Sequence, residues 1–594
     1  VIRSPEAAAG TRTNAVIALA DHVASSREST RVTFSSGGAA TPAALVLRAA
    51  LRSPRTRAAL RTLSRALSVA AGILLAAHAP AVTPGSAMPS TPDEGPAIVT
   101  YHGDLARTGW TQDERALTPA AVRGGKFGEV WTAALDGEIR AEPLVVPGVA
   151  MLGRVRTVLY VVTERDTVYA LDAAGGSRLW GPVSLGDPVP RAAIPCADVD
   201  PAGITGTPVL DRGSGTLYVV GLVSPDGGRT TTYRIGALDL KSGMERPGWP
   251  VALAPAAPGS AFDPAIQRQR GALTLTRRVV YVPFGGRGEG CRDARGWIVA
   301  VPTSAPSQQR SFATPVPGAG GIESAGGIAA DAAGNLYAAT GGGDSIRPGD
   351  LGSSVVRFRA VPPRGPVGAP GDGLAPSGAI ALQPAPAGPG GSALLLLPDQ
   401  HTSAMRRLLF VTGAQGMVYL VDRDRIAGLT GGRGAAGSSV SSRCVFGPCG
   451  GGPGGIPADA AYWDGGARAG PMVFVPGRGP QPPPCSGTGG VVALRLRAGG
   501  ESSMPRLDVA WCSASMHDPG APSVSGVGPA GVVWVTDQDE TPVLRALDAG
   551  TGAPLYESRI PAGGGAAQPP VTPAVAGGRV YVAAGHLVRA FGLW

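Results

Sequence analysis

The 594-residue sequence is short of several residue types that enzyme centres rely on. Lysine occurs only at 126 and 241, asparagine only at 14 and 335, and histidine six times. There is no Cys-x2-Cys pair, and none of His102, His401, His517 and His586 lies at ligand spacing from a cysteine. That excludes a zinc centre of the common pattern, and no metal site is expected. No Gly-x-Ser-x-Gly elbow stands with a partnered histidine and aspartate, and the glycines 341–343 are not followed by Gly-Lys-Ser/Thr. A serine-hydrolase centre and a phosphate loop are thereby excluded, and no catalytic residue is assigned. The aspartate pairs Asp422/Asp424 and Asp537/Asp539 do not continue into calcium loops and read as turn caps. A long apolar run is also missing, since a membrane span needs about 20 apolar residues.

Basic surface is scarcer than the net charge of +9 implies. Residues 1–78 hold ten arginines against three acids, and the rest of the chain is almost neutral. Nucleic-acid binding is therefore not expected. Residues 1–50 show no sustained periodicity and read as an unstructured or mis-annotated leader. Residues 51–90 pair a basic stretch with a short apolar run (66–79) and small residues, the pattern of a Sec-type secretory signal. No lipobox cysteine follows and no Arg-Arg pair precedes it, so neither a lipid anchor nor twin-arginine export is indicated. The mature chain is expected to be secreted or held in the cell envelope, without a stable membrane span.

What is abundant is glycine (90) and proline (57), set among Val/Leu/Ala runs. Short strands separated by tight turns explain both. From residue 97 onwards one unit recurs: a Pro-apolar strand, an aromatic-apolar strand, a third strand ending near Ala-x-Asp, and a glycine turn. The second strands are LYVV (159–162), LYVVG (217–221), VVYVPFG (279–285), LYAATG (336–341), LLFVTG (408–413), MVFVPG (472–477), VVWVTD (532–537) and VYVAAG (580–585). Eight units of roughly 62 residues fit four-stranded blades with generous loops. Runs buried on both faces suit blade packed on blade, and one blade cannot bury its faces alone. The expected fold is all-β, an eight-bladed propeller over 97–594, closed by pairing Phe127–Leu135 into the last blade. An open solenoid or two sandwiches is the alternative. Pro/Gly-rich insertions at 361–391, 428–458 and 476–490 read as surface loops.

The motif Asp172 with Trp180, Asp239 with Gly243 and Trp249, and Asp548 with Gly552 and Tyr556 resembles the pyrrolo-quinoline-quinone (PQQ) repeat family of β-propellers. The longer stretches YHGDLARTGW (101–110) and GGIESAGGIAADAAGNLYAATGGG (320–343) resemble secreted bacterial propellers of this type. The resemblance implies a structural role for these aspartates, with the tryptophan packed on the neighbouring blade. It also implies a possible activity, a quinoprotein-like oxidoreductase using PQQ and calcium. Against that reading, the chain has no adjacent cysteine pair, and Asn335 is the only asparagine after the leader. The expectation is therefore a non-catalytic binding or scaffold module with no cofactor, PQQ and calcium entering only under the oxidoreductase alternative. A cell-envelope assembly factor is the second alternative.

All six cysteines (Cys196, Cys291, Cys444, Cys449, Cys485, Cys512) follow the leader, which fits disulfides in an exported chain. Cys196 and Cys291 sit in loops of adjacent units and are expected to pair, and Cys512 is a partner for the loop cysteines 444, 449 and 485. For ligand binding, the polar run before one innermost strand stands out. Gln269, Arg270 and Glu323 are expected to face a common funnel and bind a small polar ligand or a protein. The tip Glu164–Asp166 belongs to a loop at one mouth of the ring. The chain is expected to be a monomer.

Overall fold

The computed structural model describes residues 95–594 apart from short stretches, the longest being 343–349, 362–373, 383–392, 427–439 and 562–570. The leader and the secretory-signal pattern therefore lie outside the described residues. What is described is all-β, with eight sheets that are antiparallel apart from Trp110–Thr111, which pairs parallel with Ser523–Ser525 in the seventh. Blade 1, for example, consists of Leu144–Met151, Arg154–Val162, Thr167–Asp172 and Arg178–Ser184. Blade 8 holds Ala574–Ala576, Arg579–Ala584 and Leu587–Leu593, and its outer strand comes from the other end of the repeat region. Phe127–Ala134 pairs with it from Phe127↔Leu593 to Ala134↔Leu587, which closes the ring as the sequence predicts.

Burial follows position in the blade. The second strand of blade 2, Thr216–Val223, is buried at every residue. The outer strand Pro554–Arg559 alternates exposed and covered positions. A middle strand is sandwiched by both neighbouring blades, whereas an outer strand has solvent beyond its edge. Seven apolar clusters fill the spaces between blades, the first of them joining blades 8, 1 and 2.

The repeat motif lives in these interfaces. Asp172, Asp239 and Asp548 each accept backbone N–H groups of the following turn through Oδ1. The turn closes on a glycine with φ near +72° (Gly176, Gly243, Gly552). A tryptophan of the preceding blade lies flat on each glycine: Trp131 on Gly176, Trp180 on Gly243 and Trp511 on Gly552. Their indole N–H groups donate to Ala173, Leu240 and Ala549 carbonyls at 2.9–3.1 Å. A Cβ on any of the three glycines would come within 2.5–2.8 Å of the ring, so both the conformation and the space require glycine. Trp249 meets Tyr218 of its own blade at a ring distance of 5.6 Å and packs against the apolar cluster between blades 2 and 3.

Two insertions carry more order than their composition predicts. Pro376–Ala381 is the outer strand of blade 4 and Val440–Cys444 that of blade 5. In the third, the flanking strands Pro471–Pro480 and Thr488–Arg497 extend into the proline-rich stretch. Two disulfides join described cysteines, Cys196–Cys291 and Cys485–Cys512. Cys444 is also disulfide-bonded, and Cys449 lies outside the described residues. No helix among the described residues is long and apolar enough to cross a membrane.

The central channel is not open. Residues 98–111 run round its inside and touch the inner-strand segment of every blade in turn. Ile98 exchanges backbone bonds with Val145, and the carbonyls of Val99, Leu105, Ala106, Thr108 and Gly109 accept from Leu210, Ala330, Leu396, Tyr462 and Val524. Thr100 Oγ1 donates to Leu273 O and Thr111 Oγ1 to Val575 O, which completes the circuit with blades 3 and 8. Arg107 is the hub of this plug. Its buried guanidinium donates to Thr100, Tyr101, Leu273, Thr274 and Ile328. Burial lowers its pKa to about 10.

Candidate functional site

The plug divides the axis into two recesses. The larger, about 660 Å³, opens where the inner strands begin. Every unit but the fifth contributes residues just ahead of its inner strand, so side chains from distant parts of the chain meet there. Arg140, Arg268, Arg270 and Arg287 line the side formed by blades 1 and 3. Gly454–Asp459 and Asp518–Ala521 form the opposite side, with Arg478 paired to Asp518 at the rim. Tyr101 of the plug, Glu142 and Asp459 lie at the bottom.

The arginines are held to different degrees. Arg140 pairs with Glu164 at 2.5 Å and Glu138 at 3.2 Å. Arg287 donates to the Tyr233 hydroxyl at 3.0 Å. Arg268 acts electrostatically on both Glu164 and Glu323. Arg270 makes no hydrogen bond or ion pair among the described residues, and its charge acts on Asp459. Burial pushes both Glu164 and Glu323 up to about 7 against these cations. At the bottom, burial raises Glu142 to about 8 and also lifts Asp459 and Tyr101. His102, beneath them, is lowered to about 3 by burial.

The structure brings two of the three expected ligand residues together. Arg270 and Glu323 line the recess, Glu323 accepting from Gly286 N at 3.1 Å. Gln269 faces the other way. Its amide donates to Gly271 O at 2.6 Å and fills the space where Gly206 would carry a Cβ. Side chains along an extended chain alternate, so 268 and 270 share a face and 269 cannot. The tip Glu164–Asp166 is support: Glu164 backs Arg140, and Asp166 is buried against Gly203 and Gly221. Asp172, Trp180, Asp239, Trp249 and Asp548 are confined to the blade interfaces and turns. Glu142, Asp459 and Tyr101 were not singled out by sequence reasoning. The first two sit just ahead of inner strands, as Arg270 and Glu323 do, so applying that position to every unit finds them.

No family model and no curated protein matches the chain. Solved structures do. The chain is similar to quinohemoprotein alcohol dehydrogenase ADHIIG from Pseudomonas putida HK5 at 17% identity and TM-score 0.52, covering 84% of this chain and 80% of that one. It is equally similar to the quinohemoprotein alcohol dehydrogenase of Comamonas testosteroni, with the same identity, TM-score and coverage. A europium-containing methanol dehydrogenase matches at 14% identity and TM-score 0.54, over 85% of this chain and 99% of that one. At these identities the likeness is one of fold.

The comparison corrects one expectation. The absence of a cofactor is no longer supported, because the chains that share this fold are quinohemoprotein and metal-containing dehydrogenases. The residues of the recess fit such a group in part. The four arginines suit the carboxylates of a quinone like PQQ. The donor set does not fit its metal partner: no three His, Cys, Asp or Glu side chains converge among the described residues. Asn335, the only amide of its kind after the leader, instead closes a turn on Asp331 at 2.9 Å.

Proposed function

We propose that the chain is an exported propeller that binds a small ligand bearing several carboxylates in the arginine-lined recess. The observation that carries this reading is Arg270, a cation with no hydrogen-bonding partner among the described residues, placed beside three other arginines around a cup of about 660 Å³. Arginine's planar fork suits carboxylates, and a concave site with converging charges concentrates an anion. Export is supported by the disulfides. The same wall would take the carboxylates of PQQ, which keeps the oxidoreductase alternative in play for the same cavity.

Isothermal titration with citrate, succinate and PQQ tests this. Binding of at least one, weakened about tenfold by Arg270→Ala and further by salt, is expected. No heat with any of the three overturns it. Stoichiometric PQQ binding with dye-linked alcohol oxidation would assign the chain to the alternative.

A further inference from the structure

The floor of the recess poses a problem that an anion site alone does not answer. Tyr101, Glu142 and Asp459 come from three separate segments and are 2%, 3% and 7% exposed. An acid floor under an anion ought to repel it. The groups facing these acids are few. Glu142 Oε2 accepts the His102 N–H at 2.8 Å. The Tyr101 hydroxyl lies 3.2 Å from Thr572 Oγ1 and also meets Asp459. Asp459 accepts from Gly326 N, while its Oδ2 is buried without a hydrogen-bond partner. Arg107 lies below, but its hydrogen bonds go to carbonyls and hydroxyls of the plug and the inner strands, not to either floor carboxyl. Arg270 from the wall and Arg107 from below favour the charge on Asp459, Arg107 also favours it on Glu142, and the Asp459 charge opposes ionisation of Glu142. Two buried carboxylates that line one recess, with no ion pair to either among the described residues, are costly to charge together.

We propose that Glu142 and Asp459 act as protonated hydrogen-bond donors to the innermost carboxylate of the ligand, whose other carboxylates reach the arginine wall. The ligand is thus a di- or polycarboxylate, taken up on a floor that must hold a proton. This deepens, and rests on, the reading of the recess as an anion site. A carboxylic acid donating to a carboxylate makes a short, charge-assisted bond, and the two have similar proton affinity. Sulfate, a far weaker base, gains little from the same donors. Burial that pushes Glu142 to about 8 is consistent with the proton being in place at neutral pH.

Calorimetry with citrate at about pH 7 and about pH 9, where citrate is mostly to wholly trianionic, tests the inference. The wild type is expected to lose about tenfold or more in affinity across that interval, with proton uptake on binding at the higher pH. Glu142→Gln together with Asp459→Asn keeps amide donors of equal size, so citrate should still bind near pH 7 but lose the pH dependence. Sulfate should bind weakly and with little pH dependence. Citrate binding that needs Arg270 but does not change with pH, or that changes identically in the double amide variant, overturns the proton-linked floor and leaves the anion site standing. No citrate binding, or binding unaffected by Arg270→Ala, overturns both.

Discussion

The two recesses lie against the same plug, at opposite ends of the inner strands of blades 2 and 3, yet they differ in chemistry. The larger is walled by arginines and floored by buried acids. The smaller, about 330 Å³, is half apolar, through Val99, Leu105, Val209, Leu210 and Leu275, with Asp211, Arg277 and Arg278 among its other lining residues. The inner strands run from one to the other. At their starts the chain arrives through long connections that can carry any residue. At their ends it turns at once into the next strand, as at Leu152–Gly153, Arg277–Arg278 and Gly577–Gly578, all with positive φ. The two disulfides between described cysteines fasten the long-loop side: Cys196 precedes blade 2, Cys291 lies between the middle strands of blade 3, and Cys485 and Cys512 fasten blade 6. Chemistry and staples occupy the face with loop length to spare, and the short-turn face is left to geometry.

The sharpest way to break this contrast is to remove the wall between the recesses. Arg107→Ala strands several buried acceptors and should cost about 5 kcal/mol in denaturant unfolding, since each unsatisfied group costs about 1–3 kcal/mol. Next come the staples. Opening Cys196–Cys291 by Cys→Ser substitution at both positions should cost about 4 kcal/mol, and opening Cys485–Cys512 about 3 kcal/mol, because the first closes the longer loop. Their sequence separations are 95 and 27 residues. Equal losses would mean that loop entropy is not what these bonds supply.

A gentler probe is pH. Glu142 is raised from 4.5 to about 8, and Glu164 and Glu323 to about 7. The folded chain therefore holds protons that the unfolded chain has released. Its stability is full below about pH 4.5 as far as these groups are concerned, and falls as pH rises through 7 and 8. Calorimetric melting from about pH 5 to about pH 9 should show that decline, with Glu142→Gln flattening its upper part. On the other face, Gly243→Ala forces a Cβ against Trp180 at positive φ and should cost about 2 kcal/mol in thermal melting. Last, Arg278→Gly should stabilise the chain by about 1 kcal/mol, because it relieves a left-handed arginine in a turn that blade 8 builds from two glycines.

Much of the ring was legible because buried middle strands are continuous apolar runs, and Phe127–Leu135 was legible as the closing strand because the last unit lacks an outer one. The outer strands PSGAIA (376–381) and VSSRC (440–444) were not, since one edge in solvent leaves no apolar run to read. In the site, Arg270 and Glu323 were marked by position, ahead of inner strands. Gln269 failed on strand parity. Tyr101 could not be seen, because nothing local in YHGDLARTGW says that it will be threaded through the middle of a ring whose parts come later.

That threading has a consequence in time. Thr111 finds Val575 across 464 residues, and Phe127 pairs with Leu593. At a synthesis rate of about 5–20 residues per second, the plug emerges roughly half a minute or more before its last partners exist. The segment at the centre of the finished molecule is made before any of the blades it touches, and it can seat fully only once the eighth is in place.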